Sequence, residues 1–196
     1  MASIDRWISI TPGCLNIDGN LSRSGAEGKE FLAQLYRSHI KDYPKFFKMD
    51  PLCRLGFVAS ELLLGGKDIS GDKHSLILFN KSGSLANDAI YQRTIGNDNY
   101  YPSPAVFVYT LPNIVTGEIA IRNRMHGETS FYILDRPDSN AMKQIIASSL
   151  ATGAEGALCG WLECSSENEY KAALFLIGNN SGTRLTAENI NRIINI

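Results

Sequence analysis

Hydrophobic positions along the chain fall into two patterns, short continuous runs and helical spacing. Five short apolar runs are typical of buried strands, and they cover residues 5–11, 75–80, 129–134, 156–163 and 170–177. Other segments carry apolar residues at a helical period, which predicts helices at residues 31–40, 51–64, 85–94, 110–126, 139–150 and 186–196.

Strands and helices therefore alternate along most of the sequence. This alternation favours an α/β fold, a layered α/β/α arrangement with a mostly parallel central sheet. Polar or breaker-rich stretches at residues 16–29 and 96–104 are predicted as connections. Because no internal repeat or linker is visible, we expect residues 1–196 to form a single domain.

Charge and composition narrow the function classes. Nineteen Lys and Arg against twenty Asp and Glu give a formal net charge of −1 in 196 residues, which argues against nucleic-acid binding. The longest strongly apolar stretch, residues 172–177, is far shorter than the ~20 residues of a membrane span. The first residues contain Asp5 and Arg6 and resemble no secretory signal, so a cytoplasmic location is expected.

Four cysteines are present, and none forms a Cys-x-x-Cys pair. Their spacing matches no usual zinc site, so we expect neither a metal nor a cofactor. Cys53 and Cys159 lie in apolar segments and are predicted to be buried, whereas Cys164 follows Glu163 at a strand end and is expected to be the most exposed.

Four segments between residues 48 and 163 are similar to motifs of one enzyme family. They are KMDPLCRLGFVASELLL at 48–64, SLILFNKSGSLANDAIYQRT at 75–94, YPSPAVFVYTLPNIVTGEIAIRNRMHGETS at 101–130 and ATGAEGALCGWLE at 151–163. This part of the chain resembles the N-terminal half of a β-ketoacyl synthase, an enzyme of the thiolase fold. The most specific piece is Thr110-Leu111-Pro112-Asn113, followed by Gly117 and the run from Ile119 to Arg122.

The chain departs from this family at the position of the nucleophile. Active synthases carry a cysteine at the helix N-terminus that follows the strand at 129–134, where the helix dipole favours a thiolate. The corresponding residues 133–140 contain no cysteine, and Asp135 or Asp138 would place a negative charge near the helix start. The family's two catalytic histidines and lysine belong to a second half, and His39, His74 and His126 match none of their motifs.

Three residues are weak candidates for a replacement nucleophile. Ser139 could supply a hydroxyl, but Asp138-Ser139 before an apolar-periodic helix is typical of an N-cap and has no histidine base nearby. Asp138 itself and Cys164 are the other two, although Cys164 lies in a strand-turn-strand setting.

Other residues are candidates for ligand binding or association. The loop Ser82-Gly83-Ser84 offers backbone amides that could hold an anion such as a pantetheine phosphate, and a tight structural turn explains it equally well. Asn113, in the most specific motif, is a further candidate ligand contact. In the resembled family, residues 103–122 would lie near the dimer interface and acyl pocket, so Phe107, Tyr109 and Leu111 are predicted interface residues, with burial in the core as the alternative.

The resemblance implies a non-catalytic ketosynthase-like subunit. Such a chain would act with a true synthase or an acyl carrier protein in fatty-acid, polyketide or polyene biosynthesis, as chain length factors do. It would be a homodimer, or a heterodimer with a full-length ketosynthase. Two alternatives remain open: an acyl-thioester enzyme with an altered nucleophile, and a relic of the fold that binds an unrelated ligand.

Overall fold

One mixed sheet contains all strands of the described residues. The computed structural model describes residues 2–96, 101–179 and 182–196. The strands follow the order β3-β2-β1-β7-β6-β4-β5, and β8 pairs with the start of β1. Their bounds are β1 Ser3–Thr11, β2 Cys14–Ile17, β3 Asn20–Arg23, β4 His74–Asn80, β5 Thr129–Ile133, β6 Gly156–Cys164, β7 Tyr170–Gly178 and β8 Thr183–Arg184.

Seven α-helices lie among the described residues and cover both faces of this sheet. Their bounds are α1 Gly28–Leu35, α2 Pro51–Leu64, α3 Leu85–Gln92, α4 Pro104–Val108, α5 Ile114–Asn123, α6 Ser139–Ala151 and α7 Ala187–Ile194. Helices α1, α2 and α5 share one hydrophobic core with the sheet, and α6 and α7 share the other. The expected layered α/β/α class is therefore confirmed.

The expectation of a mostly parallel sheet is wrong. Strand β4 is parallel to β5 and β6, whereas the other five pairings of described strands are antiparallel. Connectivity explains three of these five pairings, because β6 and β7 are joined by a tight turn at residues 165–169, and β1, β2 and β3 by shorter ones. Strands joined by a tight turn pair in the antiparallel direction.

Burial on both faces explains the continuous apolar runs. In β4, Leu76 and Leu78 pack into the core beneath α2, while Ile77 and Phe79 pack into the core beneath α6. All four side chains are fully buried. Successive strand residues point to opposite faces, so a strand covered on both sides needs no polar position.

The stretch at residues 16–29 is not a plain connection, because it contains most of a β-hairpin. Strands β2 and β3 pair with Ile17 opposite Asn20, which leaves the two-residue turn Asp18-Gly19. Both turn residues have positive φ, 53° and 93°, as a type I′ turn requires. Asp-Gly between extended segments is the sequence signal that this prediction overlooked.

The helix expected at residues 110–126 is shorter than predicted. Helix α5 begins at Ile114 and ends at Asn123, where Arg124 adopts a left-handed conformation with φ of 54°. The short helix α4 precedes it, with Ser103 accepting a hydrogen bond from the N–H of Val106 at its start. Of the loop expected at 96–104, residues 97–100 lie outside the described residues.

Two short helical segments of other types follow α1. Tyr36–Ile40 forms a π-helical turn and Pro44–Lys48 a 3₁₀ helix. Across the residues that the structure describes, no helix is both long and apolar enough to span a membrane.

Candidate functional site

The start of α6 is the position where the resemblance places the synthase nucleophile. The Asp138 carboxylate accepts hydrogen bonds from the N–H groups of Asn140 at 2.9 Å and Ala141 at 3.0 Å. These two bonds satisfy donors that a helix N-terminus leaves unpaired. The predicted N-cap is confirmed, and it is Asp138.

Ser139 lies beside an open polar cleft rather than a catalytic base. Its hydroxyl donates to the Asn191 Oδ1 at 3.5 Å. The cleft, about 550 Å³, lies between the N-termini of α6 and α7, and no histidine or lysine is among its lining residues. A serine hydroxyl needs a neighbouring base to become a nucleophile, and the carboxylates that line this cleft are Asp138, which caps α6, and Glu188.

The cysteines are shielded from solvent to different degrees. Cys164 is only 2% exposed, so the expectation that it would be the most exposed is wrong. It is the last residue of β6 and shares the α2-side core with Leu162, two positions earlier. Burial raises the pKa of the Cys164 thiol to about 12, which keeps it protonated near neutral pH.

Cys53 and Cys159 are buried, as predicted. Burial raises the pKa of both thiols well above the ordinary value. Cys14 is partly exposed at the start of β2. None of the three buried thiols has the electropositive, accessible surroundings of a catalytic cysteine.

The Ser82–Ser84 loop already holds a carboxylate of the chain itself. Glu163 accepts hydrogen bonds from the Lys81 N–H at 2.8 Å and from the Ser82 hydroxyl. The Gly83 N–H donates to the Asn80 side chain at 3.0 Å, and the Ser84 hydroxyl donates to the Thr110 carbonyl. Sequence reasoning missed Glu163, which lies 81 residues away from Ser82 in the chain.

Asn113 lies exposed immediately before α5. Its carbonyl accepts a hydrogen bond from the Thr116 hydroxyl at 2.7 Å, while its side chain makes no capping bond. The hydrogen bond of Asn113 thus stays within α5. The contact between its motif and the Ser82–Ser84 loop is made by Thr110, whose carbonyl accepts a hydrogen bond from Ser84.

Exposed apolar side chains concentrate at the β5 edge of the sheet. We call this the edge surface, and its members are 45–62% exposed: Leu85, Phe107, Val108, Leu111 and Ile133. Its parts are joined, since Ser84 contacts Thr110 and the Ile133 side chain lies 3.4 Å from the Cβ position of Gly83. Two of the three predicted interface residues, Phe107 and Leu111, thus lie on one surface.

Tyr109, the third predicted interface residue, is half-buried and packs against the α2-side core. Its burial and the neighbouring Glu118 raise the pKa of its phenol. On the other side of the sheet, the exposed side chains of α6 and α7 are polar or small, for example Lys143, Gln144 and Arg192. The exposed helical residues on the α6–α7 side thus differ in character from the apolar edge surface.

Metal chemistry has no candidate centre among the described residues. No group of three or more His, Cys, Asp or Glu side chains in residues 2–96, 101–179 and 182–196 is placed to hold an ion.

Solved structures share this architecture. The chain matches the ishigamide ketosynthase/chain length factor with a TM-score of 0.67 and 17% identity, covering 93% of this chain and 63% of that one. It also matches the ketosynthase (ApeO) in complex with its chain length factor (ApeC) from Xenorhabdus doucetiae, with a TM-score of 0.62 and 14% identity. There the match covers 98% of this chain and 90% of the other. The fold is that of ketosynthases and chain length factors.

A third structure with the ketosynthase fold extends this comparison. AntDE:AntF, a type II polyketide synthase acyl-carrier protein in complex with its ketosynthase, matches with a TM-score of 0.58 and 13% identity. The match covers 91% of this chain and 62% of that one. This chain thus spans less than two thirds of two of the matched chains, yet nearly equals in length the one from the ApeO–ApeC complex. No protein-family model and no curated protein matches the sequence.

Proposed function

We propose that the chain is a non-catalytic ketosynthase-like subunit that acts with a true ketosynthase or an acyl carrier protein. The observation that carries this proposal is the start of α6, where Asp138 caps the helix and no thiol is present. A carboxylate is favourable at a helix N-terminus, but it cannot replace the thiolate that accepts an acyl group from a thioester.

The neighbours in fold support the same class of function. Two of them are named as a ketosynthase with its chain length factor, and a third is a ketosynthase with an acyl-carrier protein. Chain length factors, in the resembled family, keep the fold without the nucleophile. The pathway is accordingly one of fatty-acid, polyketide or polyene assembly.

The edge surface supports association with a partner. Strand β5 ends the sheet, and its five residues include no charged side chain or proline that would discourage pairing with another strand. Burying an interface of about 1,600 Å² removes enough apolar surface to hold a stable complex. The chain alone forms a homodimer, and with a full-length ketosynthase it forms a heterodimer.

The proposal extends to the domain organisation and the cellular location of the chain. Residues 1–196 form one domain, since the described strands belong to one sheet. All four cysteines are free, which suits a reducing compartment such as the cytoplasm.

The test is purification of the tagged chain from its native host, with partners identified by mass spectrometry. A ketosynthase should co-purify in stoichiometric amount, and Ile133→Asp on the edge surface should abolish its recovery. Leu21→Asp is the matched control, because Leu21 has a similar exposure of 56% but lies on the opposite edge strand β3. A strictly monomeric chain that recovers no ketosynthase contradicts the proposal.

A further inference from the structure

Helices α3 and α4 contribute no side chain to the hydrophobic interior of the protein. No residue of α3 or α4, all of which the structure describes, belongs to either hydrophobic core. Of the eight residues of α3 only Asn87 is buried, and none of the five residues of α4 is. The two helices pack chiefly against each other rather than against the sheet. We call them the α3–α4 pair.

The contacts between the two helices are weak. The Asn87 side-chain amide donates a hydrogen bond to the Val106 carbonyl at 3.0 Å, and the ring centroids of Tyr91 and Phe107 lie 5.4 Å apart. Helices of eight and five residues are too short to be stable in water unless they pack against a larger core. We therefore expect the α3–α4 pair to have a low local stability.

The α3–α4 pair is attached to the rest of the fold at its two outer ends. The Ser84 hydroxyl, just before α3, donates a hydrogen bond to the carbonyl of Thr110, which follows α4. Tyr109, directly after α4, packs against the α2-side core. These attachments lie outside the helical residues, so they position the pair without covering its apolar side chains.

The uncovered apolar side chains of the pair belong to the edge surface. Leu85 is 62% exposed, Phe107 is 50% exposed, and Val108 is exposed as well. They adjoin Ile133 at the end of β5, whose side chain lies 3.4 Å from the Cβ position of Gly83. Burial of such a surface by a partner would supply the free energy that two short helices lack.

The charge of this surface favours a second copy of the chain as the partner. Asp88 is the single charged residue in the sequences of the two helices, and β5 has none. The flanking charges at Lys81, Arg93 and Asp135 include both signs, so they select neither a strongly acidic nor a strongly basic molecule. In a two-fold dimer a patch meets itself, which requires an apolar surface without an excess of one charge.

We propose that the α3–α4 pair folds stably only when a second copy of the chain covers the edge surface. In the dimer, Leu85, Phe107 and Val108 are buried and the two helices keep the arrangement of the structure. In the separated chain the pair unfolds locally, while the sheet and the other helices remain folded. This inference rests on the proposed self-association and adds that association orders the surface through which it occurs.

The test is hydrogen exchange followed by mass spectrometry on the full-length chain, with the oligomeric state measured at each concentration from about 100 µM to about 100 nM. The amides of α3 and α4 should exchange at least about tenfold faster in the dilute monomer than in the dimer. The amides of α2, Pro51–Leu64, should be equally protected in both, which shows that the fold is intact.

A variant separates the effect of association from that of dilution. Ile133→Asp disrupts the edge surface without changing a residue of the pair, so at about 100 µM its α3 and α4 amides should exchange as they do in the dilute chain. Leu21→Asp is the matched control, because Leu21 is 56% exposed against 58% for Ile133 and lies on the opposite edge strand β3. It should keep the protection of the dimer.

Equal protection of the α3–α4 pair in monomer and dimer, whether slow or fast, would overturn the inference and leave the proposed association standing. An Ile133→Asp variant that remains dimeric would overturn it by placing the interface elsewhere. A chain that stays monomeric throughout would overturn both the inference and the homodimer, while recovery of a ketosynthase from the native host is measured separately.

Discussion

The Asp138 carboxylate lies 2.9 Å from the backbone N–H of Asn140, within the first turn of α6. This contact places a fixed negative charge at the point where the resembled synthases need a thiolate. The charge stabilises the helix and removes the electrostatic reason for a nucleophile at the same position.

Removing the Asp138 cap should lower stability. We expect Asp138→Ala to reduce the free energy of unfolding by about 1 kcal/mol, because two N–H groups lose their acceptor. Urea denaturation measures this change. Asp135→Ala, three residues earlier and exposed, is the control and should leave the midpoint almost unchanged. Equal effects of the two substitutions would mean that the cap contributes no stability.

Glu163 should stabilise the Ser82–Ser84 loop. Glu163→Ala leaves the Lys81 N–H and the Ser82 hydroxyl without their charged acceptor, so we expect a loss of about 1–3 kcal/mol in unfolding free energy. Glu169→Ala, an exposed carboxylate on the turn before β7, serves as the control. If the two variants melt at the same temperature, the Glu163 contact carries no stability.

Association should depend on the edge surface. Phe107→Asp places a charge where an apolar contact would be desolvated, and we expect the dimer to weaken by about 2 kcal/mol or more. Light scattering across micromolar concentrations measures the change. Leu111→Asp should act alike, whereas Tyr109→Asp should also lower the melting temperature, because Tyr109 packs on the core. A dimer unaffected by Phe107→Asp would place the interface elsewhere.

Much of the sheet and its helices could be predicted from the sequence, because buried strands must be apolar on both faces. The runs that became β4 and β7 show this directly, with bounds close to those predicted. The hairpin at Asp18 was missed because its strand β3 is exposed along its whole length and carries no apolar periodicity. In the sequence, only the turn residues Asp18 and Gly19 indicate this hairpin.

The site was less predictable, because its contacts join distant parts of the chain. The period of two along β6 already places Cys164 on the same face as Leu162, and following it would have predicted burial. No local pattern indicates that Glu163 reaches Ser82, since the sheet alone brings the carboxyl ends of β4 and β6 together.

The stability of the fold should decline as the pH decreases through the range in which His74 takes up a proton. Burial, together with the charge of Lys67, lowers the pKa of His74 in the folded chain, and its Nδ1 is buried without a hydrogen-bond partner. The unfolded chain binds the proton more readily, so stability is highest above pH about 6.5 and declines below it. Nearby Asp68 and Glu155 oppose the shift, and Lys73 adds to it.

Chemical denaturation between pH 8 and pH 5 measures this decline. His74→Gln should reduce the slope, while His39→Gln, which removes an exposed histidine of the π-helical turn, should leave it unchanged. A slope that survives His74→Gln would assign the pH dependence to other groups.

The measurement that bears most directly on the non-catalytic role is intact-mass spectrometry after incubation with malonyl- and acyl-thioesters. An active ketosynthase, run in parallel, should gain one acyl group per chain. The present chain should gain none, since no histidine or lysine lines the cleft beside Ser139 and the Cys164 thiol is buried with a pKa of about 12. A stoichiometric adduct that disappears in Ser139→Ala or in Cys164→Ala would contradict the account.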